Sequence, residues 1–152
     1  MILIKNKQRK ISIDIKKIEI AATRMLAAIN YQEFDLGILF CSDSLMQKYN
    51  RDFRQKDKPT DILSFPYHQN LKAGKRIKVV TEEDKNLGDI IIAPSYVQKN
   101  VKTLWNQTLE QRLPILIAHG IAHLIGYDHG TEDEYKKMLT VEKKLLKIIK
   151  TL

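Results

Sequence analysis

The sequence predicts an α+β fold in which a small mixed β-sheet packs against several helices. Three observations favour this class. Segments with helical periodicity alternate with short segments rich in branched residues. Residues 88–93 form a near-continuous apolar run, which is typical of a buried strand. The chain of 152 residues has no repeat and no Gly/Ser/Pro-rich linker, so we expect a single domain over residues 1–152.

The N-terminal half is predicted to hold three strands and two helices. Strands are expected where branched residues cluster between polar turns, at residues 2–5, 34–41 and 62–65. The first helix begins at the N-cap Asp14 and runs to about Asn30, because apolar residues recur there at helical spacing. The second helix follows a cap at 42–44 and runs through Phe53 into a polar turn at 56–60.

The C-terminal half is predicted to be mainly helical. A polar, mobile connection at 68–84 leads into the strand at 88–93. Helices are then expected at residues 94–105, 108–125 and 131–149. Thr108 and Gln111 have capping-box spacing, which places the start of the second of these helices at Thr108. An interior proline removes one backbone hydrogen bond, so Pro114 predicts either a bend or a regular helix that begins near it.

Charge and cysteine content restrict the class of protein. The net charge of +8 suits a polyanionic partner such as RNA, although the twenty lysines and twenty isoleucines also fit a general Lys/Ile bias. The single cysteine, Cys41, cannot form an intrachain disulfide, and four N-terminal apolar residues are too few for a secretory signal. The longest apolar stretch, 113–126, is too short to span a bilayer. We therefore expect a cytoplasmic protein without a membrane span.

Three of the four histidines, His119, His123 and His129, lie within eleven residues. Positions i and i+4 share one face of a helix, so the first two imidazoles can point at one position. Gly126 can end this central helix in a left-handed conformation, after which His129 can return as a third ligand. Three neutral imidazoles suit Zn²⁺ and leave its fourth position for water, as in catalytic zinc sites. The fourth histidine, His68, is expected to be merely exposed.

The same H-x₃-H-x₂-G-x₂-H spacing occurs in metzincin peptidases, whose signature is H-E-x-x-H-x-x-G-x-x-H. In those enzymes the glutamate is the general base. Here Gly120 stands at that position. A metalloprotease-like hydrolase therefore stays an alternative that lacks its water-activating carboxylate.

Residues 119–129 read H-G-I-A-H-L-I-G-Y-D-H and resemble the signature H-G-x-x-H-L-x-G-Y-D-H of the YbeY family of bacterial rRNA maturation factors. Further blocks are similar to the family's N-x-x-Y/F-R, P-T-D-V-L-S-F-P, L-G-D-I and M-x-x-x-E patterns. These blocks lie at residues 49–54, 57–66, 87–92 and 138–142. The resemblance covers most of the chain from about residue 45 onward.

The resemblance implies a zinc-dependent endoribonuclease that cuts single strands in small-subunit rRNA processing and ribosome quality control. It implies His119, His123 and His129 as ligands of one zinc ion per chain. Of these, His119 is also expected to be catalytic, together with Arg54 facing the metal across the cleft. A guanidinium can clamp the phosphate oxygens as negative charge develops, although an arginine at a helix end can also be merely solvated. The small ribosomal subunit and an associated GTPase are implied partners.

Two questions stay open from the sequence. An RNA-binding ribosome-assembly factor with a structural or weakly active zinc site is an alternative to the nuclease. In the nuclease, the nucleophile is either metal-bound hydroxide or the RNA's own 2′-hydroxyl.

Four acidic residues have weaker claims to the site. Asp128 can orient a histidine or lie exposed in a loop, and Asp61 and Asp89 are expected in turn and strand-end roles. Glu142 lies on an otherwise apolar stripe of the last helix, which favours a buried ion pair.

Overall fold

The computed structural model describes residues 1–149, so the end of the predicted domain over 1–152 lies outside it. These described residues contain four strands and five α-helices. The strands are β1 (Ile2–Asn6), β2 (Asp35–Phe40), β3 (Ile62–Pro66) and β4 (Asn86–Ile92). The helices are α1 (Ile15–Ala28), α2 (Asp43–Arg54), α3 (Pro94–Asn100), α4 (Leu109–Leu124) and α5 (Glu132–Ile149).

The strands form one mixed sheet in the order β1-β2-β4-β3. Strand β2 pairs in parallel with both β1 and β4, and the edge strand β3 runs antiparallel to β4. In the register, Ile38 of β2 lies between Ile4 of β1 and Ile90 of β4. The predicted α+β class with a small mixed sheet is confirmed.

The two faces of the sheet are buried to different extents. Side chains alternate along each strand, so Leu36 and Ile38 point into the main core, where buried residues of α1, α4 and α5 also lie. On the opposite face, Ile91 packs in a smaller cluster with Met46 of α2. Helix α2 thus packs against the face opposite to α4, while Leu3 of β1 stays 55% exposed.

Helix α4 lies unusually close to the sheet at Gly120. A Cβ atom at this position would come within 2.8 Å of the Ile90 side chain and within 3.2 Å of that of Ile62. The helix begins as predicted, because the Thr108 hydroxyl accepts from the Gln111 N–H at 3.2 Å and the Gln111 side chain accepts from the Thr108 N–H at 3.0 Å. It continues through Pro114, which lies inside the regular helix.

One expectation about the helices is wrong. The helix expected to run from 94 to 105 ends at Asn100 and widens into a π-helical turn, Val101–Trp105. In this turn the centre of the Trp105 ring lies 4.0 Å from the Arg112 guanidinium. Helical periodicity does not predict such a contact between two segments.

The helices within residues 1–149 are all too short or too polar to cross a membrane.

The connection at 68–84, predicted to be polar and mobile, is attached to the core through one buried apolar residue. Ile77 is 4% exposed, and its N–H donates to the Tyr31 hydroxyl at 2.9 Å. The Arg76 guanidinium lies over the Tyr31 ring at 4.5 Å. His68 is half-buried, in contrast to the exposed position expected, and its Nε2 lies 2.7 Å from the Asp84 carbonyl oxygen.

Candidate metal centre

The last two turns of α4 bring two imidazoles together. His119 and His123 are one helical turn apart, and their ring centroids are separated by 4.6 Å. Their Nε2 atoms lie 3.1 Å from each other. Because Gly120 brings the helix close to the sheet, both rings lie at the edge of a cleft formed with β3.

The turn after α4 returns the chain to these rings. Gly126 has φ +100°, and its N–H donates to the His123 carbonyl while the Tyr127 N–H donates to the Ala122 carbonyl. This pair of bonds is a Schellman motif, which confirms the predicted helix-ending role of the glycine. His129 then lies 5.2 Å from His123 between ring centroids. One ligand nitrogen from each of the three histidines falls within 4.8 Å of the others.

The protein fixes the orientation of two of these rings. The His119 Nδ1 lies 2.6 Å from Glu142 Oε1 on α5, and the His123 Nδ1 lies 3.0 Å from the Tyr127 carbonyl oxygen. A carboxylate and a carbonyl accept hydrogen bonds, so each of these contacts places a donating N–H at Nδ1 and leaves Nε2 as the atom that can bind a metal. The Nε2 atoms of His119 and His123 face each other at 3.1 Å.

Two imidazole nitrogens at this separation can bind one cation together, so this donor set fits a metal ion. Two nitrogens bound tetrahedrally at about 2.0–2.1 Å from one zinc lie roughly 3.3 Å apart, close to the separation seen. Burial lowers the pKa of the His123 imidazole, and the neighbouring rings of His119 and His129 lower it further. The His123 ring is therefore neutral at pH 7 and its lone pair is available to a cation.

The cleft beside the three histidines has a volume of about 730 Å³ and is lined by residues of α2, β3 and the turn after α4. Arg54, the last residue of α2, contributes to its wall and is exposed. Among residues 1–149, the Arg54 side chain has no hydrogen bond or ion pair. The structure thus brings all four predicted site residues to one cleft, and their roles stay predictions.

Two acidic residues that line the cleft accept hydrogen bonds from backbone N–H groups. Asp128 Oδ1 accepts from the His129 N–H at 2.8 Å, and Asp61 Oδ1 accepts from the Ile62 N–H at 2.8 Å. Asp89 lies outside the cleft, on the face of the sheet that packs against α2. Glu142 is the carboxylate that contacts a candidate ligand, a role the sequence analysis missed. Its position on an apolar stripe predicted a buried ion pair, but nothing in that pattern identifies His119 as the partner.

Replacing Glu142 with glutamine is expected to weaken zinc binding about tenfold, because contacts that orient a ligand contribute roughly 10- to 100-fold to metal affinity. Glutamine keeps the shape and one acceptor but loses the charge. The affinity is measured by competition with a chromophoric chelator. Glu134→Gln on the exposed face of α5 is the matched control and should bind zinc like the unmodified protein. Equal affinities for the two variants would exclude an orienting role for Glu142.

Replacing Gly126 with alanine is expected to lower the free energy of unfolding by about 1–2 kcal/mol, the cost of a left-handed conformation for a residue with a Cβ. The added Cβ would also lie 3.0 Å from the Leu71 Cβ. Urea unfolding measures the loss. Gly130→Ala is the control, because a Cβ there meets nothing within 4 Å, and its stability should change by less than about 0.5 kcal/mol. Equal stabilities of the two variants would contradict the strain at Gly126.

Comparisons with known proteins agree on one family. The family model described as Endoribonuclease YbeY matches residues 3–150. The human protein named Endoribonuclease YbeY is 36% identical over 145 residues, covering 95% of this chain and 86% of the relative. Its namesake from Thermodesulfovibrio yellowstonii is 35% identical over 161 aligned positions, covering 95% and 94%. A Thermotoga maritima protein solved in solution shares the fold at 23% identity, with a TM-score of 0.60 and coverage of 99% and 93%.

Proposed function

Because the chain belongs to the YbeY family of endoribonucleases, we propose that it cleaves single-stranded RNA with the help of one bound zinc ion. The observation that supports this most directly is the cluster of His119, His123 and His129 in a cleft that also holds Arg54. A three-histidine donor set leaves a coordination position open for substrate or water, which is the arrangement of catalytic zinc sites.

In this proposal the protein positions charge around one phosphate. A bound zinc ion would supply a Lewis acid that polarises the phosphate oxygens. The Glu142 carboxylate and the Tyr127 carbonyl hold the protons on Nδ1 of His119 and His123, so that both Nε2 atoms serve as ligands. The exposed Arg54 guanidinium offers parallel N–H donors to the non-bridging oxygens and stabilises the charge that develops on them.

The nucleophile is either water or the 2′-hydroxyl of the RNA. Asp61 and Asp128 line the cleft, but each has one carboxylate oxygen occupied by a backbone N–H. The products separate the two routes. Attack by the 2′-hydroxyl leaves a 2′,3′-cyclic phosphate, whereas attack by water leaves a linear monophosphate.

We place this activity in the maturation and quality control of ribosomal RNA in the cytoplasm, with the small ribosomal subunit and an associated GTPase as partners. This part of the proposal follows from the family. The net charge of +8 is consistent with a polyanionic partner. The same charge is the observation that favours the alternative, an RNA-binding assembly factor whose zinc site is structural or weakly active.

A peptidase function has little support from the cleft. Gly120 occupies the position of the metzincin glutamate, and its Cα faces the Ile90 and Ile62 side chains. A side chain at this position would press against the ends of the Ile90 and Ile62 side chains. The water-activating base of that mechanism therefore has no place in α4.

Cleavage of labelled RNA by the zinc-loaded protein tests the proposed function. A single strand should be cut and the matching duplex left intact. Casein is the peptide control and should stay undegraded. Stoichiometric zinc with RNA binding but no cleavage would overturn the nuclease in favour of the assembly factor. Chelator-sensitive casein hydrolysis would overturn it in favour of the peptidase.

A further inference from the structure

A second groove lies on the face of the sheet opposite to α1 and α4. It has a volume of about 340 Å³, at the lower end of the roughly 300–1,000 Å³ of small-molecule pockets. All four strands and α2 contribute to its walls. The side chains that characterise it are aromatic or charged: Lys5, Lys7, Tyr49, Phe53, Phe65 and Asp89.

The aromatic side of the groove is a set of three neighbouring rings. Tyr49 and Phe53 of α2 are stacked, with centroids 6.2 Å apart and an interplanar angle of 27°. Phe53 meets Phe65 of β3 edge to face at 5.1 Å. Phe53 is nevertheless 60% exposed, which is high for a ring that already has two aromatic neighbours. An exposed aromatic face of this kind is suited to stacking on a nucleobase.

The opposite side of the groove is basic. Alternate residues of a strand share one face, so Leu3, Lys5 and Lys7 point the same way from β1 and its extension. Both lysines are exposed, and within residues 1–149 neither side chain has a hydrogen bond or ion pair. The carboxylate in the groove, Asp89, lies directly over Gly37, where a Cβ atom would clash with it. The groove is thus lined by two positively charged side chains and one negatively charged side chain.

The groove adjoins the cleft of the candidate metal centre. Phe53 and Phe65 line both the 340 Å³ groove and the 730 Å³ cleft of the three histidines. A single strand that leaves the cleft past Phe53 would therefore come next to Tyr49, the stacked neighbour of Phe53 in the groove. Aromatic rings followed by unpaired lysines match the alternation of bases and phosphates in a single strand.

We propose that this groove binds nucleotides that flank the cleavage site of a single-stranded RNA. Bases stack on Phe53 and Tyr49, and phosphates pair with Lys5 and Lys7. Asp89 accepts hydrogen bonds from base N–H groups. The proposal rests on the proposed function, because the strand held here is the one that enters the metal cleft. An acidic peptide would satisfy the lysines but would leave the exposed ring of Phe53 without a partner.

Salt-dependent binding of a labelled oligonucleotide tests the lysines. The probe is 2′-O-methyl RNA of about twelve nucleotides, within the roughly 4–16 nucleotides that one single-strand-binding fold covers. Its integrity is checked on a gel after each titration of the zinc-loaded protein. The double variant Lys5→Gln/Lys7→Gln should bind about tenfold more weakly, and its slope of log K against log salt should fall by about 1.4, at ~0.7 per phosphate contact.

Matched variants separate the groove from a general charge effect. Lys16→Gln/Lys17→Gln on α1 removes the same charge from exposed positions outside the groove and should leave the affinity and the slope unchanged. Phe53→Leu keeps apolar volume but removes the ring, so affinity should fall about fivefold to tenfold while the slope stays constant. Circular dichroism and zinc content confirm that each variant is folded and loaded.

Three results would overturn the proposal. The first is equal binding by the two double-lysine variants, and the second is a Phe53→Leu variant with unchanged affinity. The third is displacement of the RNA by polyglutamate with the same dependence on Lys5 and Lys7, which would identify an acidic-peptide site. Because binding is measured without cleavage, an inactive protein that still binds through Phe53, Lys5 and Lys7 would contradict the proposed function but would confirm this groove as a binding site for single-stranded RNA.

Discussion

Replacing His123 with alanine is expected to abolish stoichiometric zinc binding and to lower kcat/KM for single-stranded RNA at least about a thousandfold. The His123 ring is held by the Tyr127 carbonyl and lies 3.1 Å from the Nε2 of His119, so its loss leaves two ligands instead of three. Metal content is measured by mass spectrometry after gel filtration, and cleavage is measured on the same sample.

The matched control is His68→Ala. His68 contacts the Asp84 carbonyl oxygen and lies outside the histidine cluster, so this variant should keep its zinc and its activity. A folded His123→Ala protein that cleaves RNA at the rate of the unmodified protein would contradict the assignment of the metal centre.

Replacing Arg54 with alanine is expected to lower kcat for RNA cleavage about 100- to 1,000-fold while zinc content stays the same. The guanidinium belongs to the cleft wall and has no partner within residues 1–149, so it is free to contact substrate. Stability should change little, because the side chain is exposed. Single-turnover kinetics at saturating RNA measure the effect on the chemical step.

Arg51→Ala provides the control for lost charge. Arg51 lies in the same last turn of α2 but pairs with Asp52 and Asp57 on the surface, and it does not line the cleft. Its removal should leave the cleavage rate within about twofold of the unmodified protein. If both arginine variants lose activity equally, the loss reflects the overall positive charge of the protein and not a contact between Arg54 and the phosphate.

The parts of the site that the sequence predicts correctly depend on short-range rules. His119 and His123 lie close together because they are one helical turn apart. Gly126 ends α4 because glycine adopts a positive φ with less steric strain than any residue that has a Cβ. The capping box at Thr108 is equally local. Each of these features needs only a few neighbouring residues, so spacing alone predicts it.

The features that the sequence analysis missed depend on contacts between distant segments. Glu142 is 23 residues from His119 and reaches it only because α5 packs beside α4. Ile77 anchors the connection at 68–84 through Tyr31, from which it is separated by 46 residues. The groove beside Lys5 is lined by residues from all four strands and α2, which come together only in the folded sheet. No periodicity along the chain encodes such pairings.

Restoration of RNA cleavage by zinc tests the metal dependence most directly. The protein is stripped with a chelator, zinc is returned in steps, and cleavage of a labelled single strand is followed at each step. We predict no cleavage by the stripped protein and a linear rise that reaches a plateau at about one zinc per chain. Undiminished cleavage by the metal-free protein, or none at a full complement of zinc, would contradict the account.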